Sequence, residues 1–164
     1  MRFADADRSH RQLLEGIVTI FPWIATVDAF QHWIYTHHED ASDPANCDAK
    51  WAELWGRFMK GVDWSGLDDA METGWHRKLH IHEVPFYYVE YGLAQLGAVQ
   101  VWRNSLNDEA GAVASYRRAL ALGNTAPLPD LFATAGAKFH PDTETIRACV
   151  DLLETTITQL EQAG

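Results

Sequence analysis

With 164 residues, 47% of them apolar, the chain is long enough to bury a core and has the size of one helical domain spanning residues 1–164. Thirteen Lys and Arg against 23 Asp and Glu leave a net charge of −10, and no basic residues gather into a stripe that could neutralise phosphates, which argues against nucleic acid as a partner. Cys47 and Cys149 lie far apart with no CxxC pair, the cysteine usage of a reducing cytoplasm and not of a disulfide-stapled secreted domain.

The N-terminal stretch, residues 1–7, is polar and acidic where a secretory signal needs a basic start and an apolar run. The longer apolar stretches are interrupted by Pro22, Glu90 or Gln95, so no membrane span is expected. Leu13, Leu14, Ile17, Val18 and Phe21 fall on one face of a helix that Pro22 is expected to interrupt. A second helix is predicted over residues 23–35, with Ile24, Val27, Phe30 and Ile34 on one side and Asp28, Gln31 and His32 among them. His37 to Pro44 forms a connecting loop.

Asp43 before Pro44 is an N-cap followed by a first-turn proline, and Trp51, Leu54, Trp55, Phe58 and Met59 form the stripe of a third helix. Gly61, Asp63, Ser65, Gly66 and Gly74 mark residues 62–74 as a loop containing one short helix around 67–72. Pro85 opens the segment 86–102, apolar or aromatic on nearly every side, which predicts a buried central helix. Gly92 and Gly97 within it permit a close neighbour, and Glu90 in such a helix should be paired. Asn107, Asp108 and Glu109 cap a helix running through Val113, Tyr116 and Leu120 to Gly123. A short helix over 127–135 precedes a last one, introduced by Pro141 and Asp142, with Ile146, Val150, Leu153, Ile157 and Leu160 along one seam. No segment alternates as a strand would, so the fold class is all-α. Seven Trp, five Tyr and seven Phe fall mostly between Phe21 and Trp102, which should be the packed centre.

Histidines cluster at His76, His80 and His82. On a helix His76 and His80 share a face at the i, i+4 spacing of paired zinc ligands, but Arg77 stands where a His-Glu-x-x-His motif needs its general base. His82-Glu83 lacks a second His before Pro85, and His38-Glu39 fails likewise. No zinc ligand set is therefore assigned, and the plain alternative for His80 and His82 is packing beside Trp75 with hydrogen bonds satisfied. Tyr87, Tyr88 and Tyr91 are spaced to point toward a common side of a helix. In a hydrolytic cleft their hydroxyls would donate to an oxyanion forming on an attacked carbonyl; in a core they would be capped by backbone or carboxylate.

The run Leu79-His80-Ile81-His82-Glu83-Val84-Pro85-Phe86-Tyr87-Tyr88-Val89-Glu90-Tyr91-Gly92-Leu93-Ala94-Gln95-Leu96-Gly97-Ala98 resembles the C-terminal signature of oligoendopeptidase F and its thimet oligopeptidase relatives. Two further blocks agree in sequence and order: Val27-Asp28-Ala29-Phe30-Gln31-His32-Trp33-Ile34-Tyr35, and Arg57-Phe58 followed by Val62-Asp63-Trp64-Ser65-Gly66-Leu67. The resemblance covers roughly residues 10 to 160.

The resemblance implies the bundle-like C-terminal half of a zincin-type oligopeptidase, all-helical and enclosing a channel for short peptides. In that family zinc polarises the scissile carbonyl and activates a water, and the Glu of a His-Glu-x-x-His helix is the general base. Those parts precede the region seen here, so zinc belongs to the complete enzyme and none is expected on this chain. What carries over is the substrate side: His80, Tyr88 and Tyr91 as catalytic groups, with His82 and Tyr87 binding substrate. His82 with Tyr87 and Tyr91 is the alternative pairing. Short peptides are the expected ligands, the missing zinc-binding part a potential partner, and self-association through exposed apolar faces a further expectation. Alternatives are a non-catalytic helical binding module, suggested by the tetratricopeptide-like stretch Ala114 to Gly123, and a free-standing metal protein using His76, His80 and His82.

Overall fold

Pro22 sits inside one continuous helix, α1 (Phe3–Thr36), and does not divide two. A proline within a helix removes one backbone hydrogen bond and crowds the carbonyl four residues earlier, at about 3 kcal/mol. Helical residues are buried on both sides of it, Leu14 before and Ile24, Val27 and Phe30 after, and each such side chain contributes about 1.5–3 kcal/mol. Thr26 fixes the turn after the proline by donating its hydroxyl hydrogen to the Pro22 carbonyl at 2.9 Å. Contrary to the expectation drawn from Pro22, residues Asp7–Thr36 are long and apolar enough by composition to cross a membrane; within the fold Ile24, Val27 and Phe30 serve as core.

The protein is represented by a computed structural model that describes the backbone of residues 3–163 and the side chains of 7–162, so most of the acidic N-terminal stretch lies outside the described side chains. All the regular structure among the described residues is helical: after α1 come α2 (Pro44–Phe58), α3 (Asp68–Glu72), α4 (Leu79–Glu83), α5 (Val89–Ser105), α6 (Glu109–Leu122), α7 (Leu128–Thr134) and α8 (Thr143–Ala163). Single 3-10 turns occupy Asp40–Ser42, Thr73–Arg77 and Gly123–Thr125. These elements gather into two compact units, one made of Met1–Val18 with Leu93–Gly164 and the other of Thr19–Gly92.

The 19–92 unit is built around Trp51, which is fully buried. Its ring meets Phe30 at 5.2 Å, Trp55 at 6.0 Å and Trp23 at 6.1 Å between centroids. Asp43 starts α2 as predicted, its carboxylate accepting the Ala45 N–H at 3.0 Å. At Gly74 the chain passes so close to Trp51 that a Cβ would lie 2.9 Å from the indole nitrogen. Trp75 closes the cluster by donating its indole hydrogen to Asp48 at 2.7 Å.

In the other unit α5 carries a two-point polar clamp. Gln100, buried in α5, donates to the Lys138 carbonyl at 3.0 Å and accepts the Lys138 N–H at 2.9 Å. One turn on, Asn104 donates to the Gly136 carbonyl at 2.8 Å. Between α5 and α7, Gly97 lies so near Phe132 that a Cβ would stand 2.7 Å from the ring. In α6 the small residues Ala112 and Ala119 are buried, leaving Val113, Tyr116 and Leu120 exposed. In α8 the predicted seam holds at Leu153, which is buried together with Cys149, and departs at its start, where Thr145 is buried and Ile146 exposed. Side-chain volume decides the buried side of α6, because alanines allow the closer approach that larger residues on the same helix would prevent.

Two consequences are measurable. Replacing Gly97 with Ala drives a methyl into the Phe132 ring and is expected to destabilise by about 1–3 kcal/mol. Gly56→Ala, on an exposed position of α2 with open space around it, should instead stabilise by about 0.5–1 kcal/mol. Opposite shifts in the two thermal midpoints check the pair. At the start of α8, the Asp142 carboxylate accepts the Thr145 N–H at 2.7 Å, and that bond holds its pKa below the ordinary value of 3.8. A depressed folded pKa stabilises the native state above the unfolded value and loses that contribution as pH falls through the folded one. The thermal midpoint of the wild type should therefore fall more steeply below about pH 4 than that of Asp142→Asn.

Candidate substrate-binding site

The segment with most of the candidate residues is anchored from α1. Gln31 is fully buried, and its side-chain amide donates to the His80 backbone carbonyl at 3.4 Å. That bond fixes the C-terminal turns of α1 against α4. His76 and His80 do not share a helix face: His76 belongs to the 3-10 turn, 3.4 Å from Asp48, while His80 belongs to α4. Lys78, extended at φ −94° and ψ 87°, separates the two turns.

After α4 the chain reverses over residues 84–87, with the Tyr87 N–H donating to the Val84 carbonyl at 3.2 Å. Pro85 holds the second position and Phe86 the third, where φ is +62°. This is the pattern of a type II turn, in which the third position is ordinarily Gly. A side chain there costs roughly 1–2 kcal/mol. Phe86 is retained by its ring, which lies 4.9 Å from His32 and 5.0 Å from Tyr35 on α1. Beside it Asp28 faces His32 at 3.6 Å; burial raises the Asp28 pKa and His32 partly opposes this.

The reversal changes how the tyrosines meet. Tyr87 and Tyr88 precede α5 and are not within it, and hydrogen bonds from Glu90 N–H to the Tyr87 carbonyl and from Tyr91 N–H to the Tyr88 carbonyl wind the entry turn. Glu90 is exposed on that first turn, not paired inside an apolar helix as expected. The ring of His80 lies 5.0 Å from Tyr88, 6.0 Å from Tyr91 and 6.1 Å from Tyr87. Tyr91 stands 5.3 Å from Tyr88 and 5.6 Å from Tyr87. Four of the five predicted residues thus form one cluster. His82 does not join it: its exposed ring lies 5.8 Å from Trp75.

Tyr87 and Tyr91 are exposed and Tyr88 is half-buried. Desolvation, followed by the neighbouring Tyr87, raises the Tyr91 pKa, so Tyr91 keeps its proton and remains a hydrogen-bond donor. Two contributors escaped the sequence reading. Trp23 donates its indole hydrogen to the Tyr88 hydroxyl oxygen at 2.6 Å, and Lys78 places its ammonium 4.1 Å from the centroid of that indole. Trp23 lies 65 residues before Tyr88, so no local spacing could have revealed the pair. Gln31 had a signal, a polar residue beside Phe30 on the apolar face of α1. Among the described residues no group of three or more His, Cys, Asp or Glu comes together to hold a metal ion. The residues here therefore do not fit a zinc centre.

The strain at Phe86 gives a test of how the cluster is positioned. Phe86→Ala loses the ring contacts and keeps the positive φ, whereas Phe86→Gly loses the same contacts and relieves it. The glycine variant should be the more stable by about 1 kcal/mol, read from denaturant midpoints.

Neither the curated proteins nor the solved structures give a match to this chain. Residues 5–151 match the family model of Peptidase family M3. With most of its length inside that match, the chain belongs to Peptidase family M3.

Proposed function

We propose that this chain is the substrate-side portion of a zinc metallo-oligopeptidase of the oligoendopeptidase F and thimet type, acting on short peptides. The observation that carries the reading is the gathering of His80, Tyr87, Tyr88 and Tyr91 on one side of α4 and the start of α5. Membership of a peptidase family makes peptides the substrate class. In this role Tyr88 and Tyr91 donate hydrogen bonds to the scissile carbonyl oxygen as it gains charge, with His80 beside them and Tyr87 along the peptide. One such donor is worth roughly 2.7–4 kcal/mol in an acyl-transfer transition state. Zinc, the activated water and the general base are assigned to a His-Glu-x-x-His segment on another part of the enzyme or on a partner polypeptide, and the compartment to the cytoplasm.

The pure chain, given zinc and a quenched fluorogenic peptide, should show no cleavage. Titrated with a blocked alanine-rich hexapeptide amide, it should show ring-resonance shifts confined to residues 80–91, and Tyr91→Phe should weaken that binding several-fold with little change in thermal midpoint. Zinc-dependent cleavage by the pure chain would overturn the division of labour. Shifts confined to the apolar hollow lined by Gly97, Val101, Tyr116, Leu120 and Phe132 would favour a non-catalytic binding module instead.

A further inference from the structure

We infer that Trp23 is a positioning residue for this site: it fixes the Tyr88 hydroxyl as a hydrogen-bond donor toward the peptide carbonyl. The inference rests on the peptide-binding reading above. An indole nitrogen has one hydrogen to give and nothing to accept with, whereas a phenol both gives and accepts. The direction of the 2.6 Å bond is therefore settled: Trp23 gives and the Tyr88 oxygen receives. Tyr88 then turns its own hydrogen away from the indole, so a ligand meets a donor there. That selects a carbonyl oxygen or an oxyanion over an amide N–H.

Trp23 is held for the task on several sides. Its ring stands edge-on to Trp51 at 6.1 Å and to Trp55 at 5.4 Å, with interplanar angles of 83° and 79°. Over its face lies the Lys78 ammonium at 4.1 Å, and a cation there draws electron density from the ring and strengthens the N–H as a donor. The bond is not a general property of this core. Trp51, Trp55 and Trp64, all in the same aromatic cluster, have buried indole nitrogens with no partner among the described residues. Of these neighbouring indoles it is Trp23 that reaches the tyrosine cluster.

The test replaces Trp23 with 3-benzothienylalanine, an isostere with sulfur in place of N–H that keeps the packing, and combines it with Tyr88→Phe in a double-mutant cycle. Affinity for the blocked hexapeptide amide is read by titration. The isostere should weaken binding about threefold to tenfold when Tyr88 is present, the share of one neutral hydrogen bond, and leave it unchanged in the Tyr88→Phe background. Without peptide, Tyr88→Phe should move the Trp23 indole proton resonance upfield. Equal weakening in both backgrounds, no weakening in either, or an unmoved indole resonance would overturn the inference. If Tyr88→Phe weakens binding and the isostere does not, only the positioning role fails. If Tyr88→Phe and Tyr91→Phe both leave affinity unchanged, the peptide-binding reading fails and the positioning role with it.

Discussion

Enclosing Trp51 is the constraint on which the 19–92 unit depends. An indole of that size buries on the order of 200 Å² only if several elements converge on it, and each convergence here dictates a local feature. α1 supplies Phe30 and Trp23, α2 supplies Trp55, and the chain at Gly74 passes where no side chain fits. α1 presents Trp23, Val27 and Phe30 to this core after Pro22 and buries Leu14 before it, and the helix runs through Pro22 despite the missing hydrogen bond. Packing overrides the local preference there.

The same core organises polar groups around its margin. Asp48 receives the Trp75 indole hydrogen, Gln31 holds the His80 carbonyl, and Trp23 reaches Tyr88. In each case a polar atom projects from an aromatic or apolar face toward a segment with little helical structure of its own. The five-residue α4 and the strained turn at Phe86 could not hold four rings in register by themselves, since a helix that short is unstable without tertiary contacts. Their geometry is imposed from α1.

Much of this was legible in the sequence, and for identifiable reasons. Caps act through neighbouring residues, so Asp43 with Pro44 and Asp108 with Gly123 marked the ends of α2 and α6 correctly. Large apolar residues at helical spacing marked α2 equally well. Spacing named no buried side for α6, where two alanines take it, and in α8 it found Leu153 but missed that Thr145 and Cys149 are buried in place of Ile146. At the candidate site the string of residues placed His80 near the tyrosines, but helical periodicity misassigned Tyr87 and Tyr88 to a helix. The positive φ at Phe86 lies outside what any spacing rule anticipates for a bulky residue. Trp23 was hidden because its partner is remote in sequence.

The chemistry of the cluster fits a division of labour. Attack on a peptide carbonyl needs a nucleophile, a base to take its proton, and donors for the oxygen that becomes negative. Tyr87, Tyr88 and Tyr91 offer phenol hydrogens for the last of these, with the His80 imidazole beside them. Desolvation and the adjoining tyrosine raise the Tyr91 pKa above its ordinary value, and the indole bond orients Tyr88. Among the described residues no carboxylate accepts a hydrogen bond from these phenols: Glu90 faces solvent, acting on Tyr91 only through its charge, and Asp28 is set against His32. A carboxylate near the phenols would accept their hydrogens and remove the donors the oxyanion requires.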